Sequence, residues 1–486
     1  MIRRLFGAAL AGCAAFCWQA CSPGAHAGTS AHTGTSAHTG ASAYTGTSAH
    51  TGASANAGTS ANRDPLTAFV DDSLLTRPEL VAGQVGICIY DPAKAVYIFN
   101  HQADKYFIPA SNTKLFSLYA GLKYLGDSLI GMRYLVTDTA LLVLPSGDPT
   151  FLHPAYPYQP VVDLMRKTGK KIWLADDNWQ DQAMGRGWAW DDYNDDYAAE
   201  RSAFPIYMNM IRWVQDRPKG SSNDPFGSSP SIYSVPDVDW PVHFSPDTGK
   251  NFFVHRSLNE NVFEVTEGKG DHKEQYTPFI TDGLASAATL LKDTAGNPAG
   301  VRHFGTRLPA GWSVLRSRPV DSLFRPMMYN SDNFFAEQTL LMVGNEALGS
   351  MNDARTIDYL LKGDLDSLPQ KPNWVDGCGL SRNDLFTPQD FVWLLNRLQR
   401  EFGIARMERL LPTGGTGTLS AYYHPDSTFI YAKTGSLSGV AALSGYLITK
   451  SGRMLLFSVL INNYTGSGMA VRRQIEKMIH IIRDTY

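Results

Sequence analysis

The sequence contains no run of five or more basic residues, and its 43 lysines and arginines are outnumbered by 46 aspartates and glutamates, for a net charge of −3. A nucleic-acid partner needs a concentrated positive surface, so none is expected. Cysteine is scarce. Of five in 486 residues, three (Cys13, Cys17, Cys21) fall within the first 21 positions. That excludes a small disulfide-stapled scaffold. The other two, Cys88 and Cys378, read as small semi-buried thiols, and their pairing stays open. A membrane-spanning segment is lacking as well. The N-terminal apolar stretch "LFGAALAGCAAFCWQA" has 16 residues, short of the ~20 that a spanning helix needs.

That N-terminus instead reads as an export leader. "MIRR" is a basic start, and Ala25 and Ala27 in "PGAHA" give the small-x-small pattern of a cleavage site. Residues 1–27 are the expected signal peptide, with a lipoprotein signal ending at Cys21 as the alternative. "LAGC" at 10–13 has the form of a lipobox but comes early in the apolar run. The mature chain is expected outside the cytoplasm, in the periplasm of a Gram-negative bacterium. It would touch a membrane only if lipidated at its N-terminus.

From 28 to 62 a hexamer repeats: GTSAHT, GTSAHT, GASAYT, GTSAHT, GASANA, GTSAN. Nothing in it can offset ordering entropy by burial, so it is expected to be a flexible tether. His32, His38 and His50 recur at six-residue spacing, which fixes no metal geometry.

The remainder is 43% hydrophobic over the whole chain and long enough for two or three domains. "QVGICIYDPAKAVYIFN" predicts two strands around a turn at Asp91–Lys94. Leu115, Leu118, Leu122 and Leu125 predict a buried amphipathic helix just after Ser111. "PMMYNSDNFFAEQTLLMVG" reads as a helical stretch. "TPQDFVWLLNRLQREFG" reads as a helix opened by Thr387 and Pro388. The segment 427–463 predicts three strands with a tight "KSGR" turn, and "AVRRQIEKMIHIIRDTY" a closing helix. The middle, rich in Trp, Tyr, Asp and Pro, predicts an inserted domain or domains at 135–304 between catalytic segments 63–134 and 305–486.

Three short motifs carry the chemistry. Ser111-Asn112-Thr113-Lys114 is an S-x-x-K, and a helix sets residues i and i+3 on one face. Alone it is a cap with a solvated lysine. As a nucleophile and base it requires a lysine whose pKa is lowered by burial or by another cation. Ser331-Asp332-Asn333 places a hydroxyl and a carboxamide two apart, suited to proton relay and peptide binding, or to capping a helix. Lys433-Thr434-Gly435-Ser436 ends a predicted strand. Its glycine admits a close ligand, its edge can pair with an extended peptide, and its hydroxyls can hold a carboxylate. Each is weak alone. In this order and context they form the active-serine set of penicillin-recognising enzymes.

With those motifs, "PASNTK", "SGDPT" (146–150), "GWAWDDY" (187–193), "AAERSAFPI", "VDGCGLSRND" (375–384), "TGGTGTL" and "AKTGSLSGVAALSGYL" make residues 65–486 resemble the D-alanyl-D-alanine carboxypeptidase/endopeptidase family. These are the DacB-like, low-molecular-mass class C penicillin-binding proteins. The long separation of Ser111 from Ser331 fits their inserted domains. Cys378 stands where that family commonly has serine, and "PTGGTGTLS" is looser than its usual form.

The resemblance implies an α/β (α+β) fold: a serine transpeptidase/β-lactamase-like domain with an antiparallel sheet flanked by helices. It implies an acyl-enzyme on Ser111, Lys114 as base, Ser331 as proton carrier, Asn333 as stem-peptide ligand, and Lys433 keeping Lys114 neutral by like charge. Backbone N–H groups of Ser111 and Ser436 would form the oxyanion hole. Thr434, Gly435 and Ser436 would bind the substrate end. Asp192 and Arg382 would hold a diaminopimelate side chain; otherwise Asp192 belongs to a solvated acidic loop and Arg382 braces its own. No cofactor or metal is called for, and the D-x-D-x-D-G calcium spacing is missing. Expected partners are peptidoglycan stem peptides of the diaminopimelate type and β-lactams as covalent inhibitors. A non-catalytic peptidoglycan-binding protein and a β-lactam hydrolase on the same scaffold are the alternatives.

Overall fold

The computed structural model describes residues 63–217, 230–245, 251–305, 310–424 and 427–486. The chain divides into two units, 1–60 and 61–486. The expected leader, its three cysteines and the hexapeptide tether lie outside the described residues.

The site is organised by a five-stranded antiparallel sheet of β1 (Gln84–Asp91), β2 (Val96–His101), β3 (Ile430–Leu437), β4 (Val440–Ile448) and β5 (Met454–Asn462), in the order β3-β4-β5-β1-β2. Both ends of the catalytic sequence therefore meet in one layer, with Gln84 opposite Asn462 and Tyr90 opposite Leu456. The period-two alternation of the strands sorts their side chains into two cores. Cys88, Ala442, Tyr446, Leu456 and Leu460 enter one; Ile87, Ile89, Leu443, Phe457, Val459 and Ile461 enter the other.

The helices used below are α1 (Pro65–Phe69), α2 (Lys114–Tyr124), α3 (Asp321–Tyr329), α4 (Asn333–Leu348), α5 (Asp353–Lys362), α6 (Pro388–Phe402) and α7 (Gly468–Thr485). Helices α2, α4 and α6 cover the first face, and α1 and α7 the second. On α7 the buried stripe Val471, Ile475, Met478, Ile479 and Ile482 has the spacing of one helical face. Thr387 and Asp390 close a reciprocal capping box at the start of α6, as the Thr-Pro pair predicts. Phe116 of α2 packs against Phe386, Trp374 and Phe391 at 4.6, 5.5 and 5.5 Å between ring centres. Truncating it to alanine would cost roughly 3–5 kcal/mol, so the helix that follows Ser111 is firmly seated.

A second five-stranded sheet, of mixed direction, takes strands 299–302, 171–175, 140–145, 128–136 and 313–319 in that order. Two three-stranded sheets come from 210–216, 231–235 and 272–278, and from 242–245, 253–256 and 263–266. Among the described residues no helix is long and apolar enough to cross a membrane. Cys88 and Cys378 are free thiols, both fully buried.

One expectation is corrected. "PMMYNSDNFFAEQTLLMVG" is not one helical stretch. The chain breaks at 330–332 between α3 and α4, where Ser331 takes a φ of +60°. The Asp332 carboxylate then accepts the Phe335 N–H at 2.9 Å and starts α4. The break falls on the second motif, and it turns Ser331 away from a helical path.

Candidate active site

Ser111 lies in a 3-10 turn, Ala110–Thr113, that runs directly into α2. Its hydroxyl caps neither helix; it accepts a hydrogen bond from Lys114 Nζ at 2.9 Å. The preceding Ala110 has a φ of +47°, a left-handed conformation that costs a non-glycine residue roughly 1 kcal/mol or more. Its surroundings hold it there. Asn462 receives Ile108 N–H at 2.7 Å and donates to Ile108 O at 3.0 Å. Asn112 Nδ2 reaches Ser444 Oγ at 2.8 Å. Phe107 and Phe386 exchange backbone hydrogen bonds of 2.8 and 3.0 Å. Gly379 and Gly435 close in on either side. A methyl group at 379 would stand 1.9 Å from Ala110 O, and one at 435 would stand 2.6 Å from Pro109 O and 3.1 Å from Ser111 N. Only glycine fits either place, and the third motif thereby touches the first.

Lys114 is fully buried. Besides Ser111, its ammonium position faces Asn333 Oδ1 at 2.6 Å and Cys378 O at 2.8 Å. Those two oxygens can only accept. In its neutral form the amine would give those oxygens two N–H bonds and keep its lone pair for the Ser111 hydroxyl. Burial lowers the Lys114 pKa, against the opposing pull of Cys378, Asp376, Asp332 and Glu337.

Lys433, also fully buried, donates to Ser331 Oγ at 2.8 Å and Thr434 O at 2.7 Å. Its pKa falls well below the ordinary value, first through burial and then through Lys114 nearby. Burial dominates at both lysines, and the like charge between them disfavours protonating both at once. Asn333 is shared between two neighbours. Its oxygen faces Lys114 and its Nδ2 donates to Tyr197 O at 2.9 Å, leaving one lone pair and one N–H for anything else.

The remaining site residues from the sequence fall around this centre. Thr434 Oγ1 donates to Thr418 Oγ1 at 2.8 Å, which ties "TGGTGTL" to the third motif. Exposed Ser436 accepts from Arg472 Nη2 of α7 at 2.9 Å. Asp192 accepts the Tyr197 hydroxyl at 2.9 Å. Partial burial raises its pKa, Tyr197 opposes this, and Asp195 and Asp191 add to it. Arg382 donates to Ser438 O at 2.9 Å, on the hairpin between β3 and β4. Among the described residues Asp192 and Arg382 form no ion pair with each other; Arg382 ties its loop to the hairpin.

Several participants were given no catalytic or binding role by the sequence, although Arg201 and Cys378 lie within signatures quoted above. Tyr197 and Cys378 act through backbone atoms, which a sequence does not display. Arg472 looks like any surface cation of an amphipathic helix. Arg201 and Glu337 are wholly buried in an ion cluster with Asp353 and Asp181. Cys378 Sγ lies 3.7 Å from Asp376 Oδ2, while its N–H and C=O do the holding, so serine or cysteine serves equally there.

Among the described residues two groups of side chains have metal-like composition: Asp176, Asp177 and His303, and Glu337, Asp376 and Cys378. Their carboxylates are engaged in holding loops. Asp177 accepts Phe304 and Gly305 N–H, Asp376 accepts Gly379 and Ser381 N–H, and Glu337 accepts Cys378 N–H and Arg201.

A hydroxyl on the lone pair of a buried amine, with a second buried amine on another hydroxyl, is equipped for nucleophilic acyl transfer. The sequence model of the D-Ala-D-Ala carboxypeptidase 3 (S13) family matches residues 66–486. The D-alanyl-D-alanine carboxypeptidase of Actinomadura sp. (strain R39) is 27% identical over 440 residues, 81% of this chain and 80% of that one. The D-alanyl-D-alanine carboxypeptidase DacB of Haemophilus influenzae is 23% identical over 464 residues, 87% and 94% of the two chains. The crystal structure of penicillin binding protein 4 (dacB) from Haemophilus influenzae shares the fold, with a TM-score of 0.64 at 20% identity over 82% of this chain and 95% of that one. The same protein complexed with a novel β-lactam gives 0.63 at 19% identity over 85% and 98%.

Proposed function

The chain belongs to the D-Ala-D-Ala carboxypeptidase 3 (S13) family of serine-type carboxypeptidases, and from that premise we propose that Ser111 is the nucleophile of an exported DD-peptidase acting on peptidoglycan. Ser111 Oγ attacks the carbonyl between two D-alanines as its proton passes to Lys114 Nζ. The backbone N–H groups of Ser111 and Ser436 stabilise the resulting oxyanion. The C–N bond then breaks, the proton taken up by Lys114 passes by way of the Ser331 hydroxyl to the leaving amine, and Lys433 holds Ser331 in place. Water releases the acyl group as a carboxylate and restores Ser111.

Thr434, Ser436 and Arg472 receive the terminal carboxylate of the substrate, and Gly435 lets it lie close. The free lone pair and N–H of Asn333 are available to the stem peptide. Asp192, on a loop of the 135–304 insert, faces the ammonium group of a diaminopimelate side chain; Arg382 contributes charge from its own loop, beside the hairpin. When the leaving amine belongs to a cross-linking diaminopimelate, the same steps perform a DD-endopeptidase reaction. A β-lactam, as a cyclic mimic of the substrate, acylates Ser111.

The observation that carries this reading is the Lys114 amine between two pure acceptors and the Ser111 hydroxyl, in a chain of this family. Digestion of purified muropeptides tests it. Pentapeptide monomers should lose one D-alanine and cross-linked dimers should fall to monomers, with diaminopimelate substrates preferred over lysine ones. Unchanged pentapeptide would refute the carboxypeptidase assignment, and unchanged dimers would confine the enzyme to monomers.

A further inference from the structure

Glu337 stands one turn beyond Asn333 on α4, and the reaction described above makes no use of it. It is fully buried, on a helix whose residues are buried on every side from Phe334 to Asn345. Apolar packing alone would be served as well by leucine, so a carboxylate there needs partners that require one. Its Oε2 accepts Arg201 Nη1 at 3.1 Å, and Arg201 also bonds Asp353 at 2.6 Å and Asp181 at 3.0 Å. Its Oε1 accepts the Cys378 N–H at 2.7 Å. The carbonyl of Cys378 in turn accepts Lys114 Nζ at 2.8 Å. Four groups thus run in line: Glu337, the Cys378 backbone, Lys114 and Ser111.

The loop is clamped from its other end too. Asp376 accepts Gly379 N–H at 2.6 Å and Ser381 N–H at 2.7 Å, and Trp188 Nε1 at 3.0 Å holds Asp376. Gly377 lies so close to α4 that a methyl group there would meet Ala336 O at 2.8 Å. Asp376 holds the peptide whose carbonyl meets Lys114, through its Gly379 N–H, and Glu337 holds the preceding peptide through the Cys378 N–H.

We propose that Glu337 is a positioning residue for acylation: together with Asp376 on the next peptide, it fixes Cys378 from its N–H side so that the Cys378 carbonyl takes one Lys114 N–H and the lysine lone pair stays on Ser111. This rests on the reading of Lys114 as the base. The charged and titratable groups around Glu337 are Lys114 on α2, Arg201 with Asp181 behind it, Asp353 on α5, and Asp376 and the Cys378 thiol on the loop. Burial lifts the Glu337 carboxyl to about 7, with Asp376 adding to the rise and Arg201 opposing it. Its ionised form in turn favours the ammonium form of Lys114.

Two substitutions separate reach from charge. Glu337→Asp keeps the charge beside Arg201 but falls a methylene short of Cys378. Glu337→Gln keeps the reach and an accepting oxygen but loses the charge. Acylation by a fluorescent penicillin is followed by stopped flow from pH 5 to 9, with thermal melts to show that each variant is folded. The Asp variant should lose about tenfold to a hundredfold in the covalent step, with non-covalent affinity unchanged. The Gln variant should stay within about threefold of wild type near neutrality, and its acid limb should move to lower pH as a carboxylate is removed from the field of Lys114. A folded Asp variant that acylates like wild type overturns the proposal. So does a Gln variant as slow as the Asp variant with its acid limb unmoved. Failure of the wild type to acylate at all would instead refute Ser111 as nucleophile.

Discussion

The contact between the third motif and the nucleophile turn makes Gly435→Ala a sharp test of how the site is held. A methyl group at 435 would stand 2.6 Å from Pro109 O, 3.1 Å from Ser111 N and 3.1 Å from Ala442 Cβ. A carbon and a carbonyl oxygen rest at about 3.2 Å or more, so β3 and the Pro109–Ser111 segment must separate by about half an ångström. Overpacking of this kind costs about 1–3 kcal/mol of stability. The catalytic effect should be larger in proportion. A displacement near half an ångström between the nucleophile and the oxyanion donors is expected to slow acylation about tenfold to a hundredfold. The measurement is the second-order acylation rate with a fluorescent penicillin, alongside a thermal melt. A folded Gly435→Ala enzyme that acylates at the wild-type rate would refute the tight packing of β3 against Ser111.

Lys433→Met should abolish turnover yet stabilise the protein, and the gain should depend on pH. The folded-state pKa of Lys433 lies below its unfolded value, so the unfolded chain binds more protons and wild-type stability rises with pH between the two values. The cost of burying the lysine is complete below the lowered pKa and relieved toward the ordinary value of about 10.4. The advantage of Lys433→Met in chemical denaturation should therefore be greatest near pH 6–7 and shrink by pH 10; a difference independent of pH would contradict it. Arg472→Ala, which removes the cation bonded to Ser436, should raise KM for peptides with a free terminal carboxylate about fivefold to tenfold. Their kcat, and the handling of C-terminally amidated analogues, should change little; an equal effect on both substrates would remove Arg472 from the carboxylate site.

The catalytic sheet was legible because its strands carry two complementary signals. Ile87 and Ile89 alternate with Cys88, and Leu443 and Leu447 with Ala442 and Tyr446, so the faces separate by period two alone. The helix of Leu115, Leu118 and Leu122 and the Thr387–Pro388 start were equally plain. The break at Ser331 left only the polar run Asn330–Asn333, whose Asp332 caps the next helix, since a φ of +60° at one serine is imposed by tertiary contacts. The mixed sheet of the middle region pairs strands 140–145, 171–175 and 299–302 in parallel, and no local pattern encodes such distant partners. At the site, the three motifs picked out side chains that the fold brings together, but the partners of Lys114 include a backbone carbonyl that any residue could supply. Glu337 did leave a trace. A helix apolar on every side, as α4 is, must be buried, and a glutamate on it must then be paired.

The central claim is that Ser111, poised on neutral Lys114, forms a covalent acyl-enzyme. Intact-mass measurement after exposure to benzylpenicillin, followed by peptide mapping, tests it most directly. The wild type should gain one penicilloyl group, located on the peptide that contains Ser111, and Ser111→Ala should gain none. An unmodified wild-type mass, or an adduct on any other residue, would contradict the account.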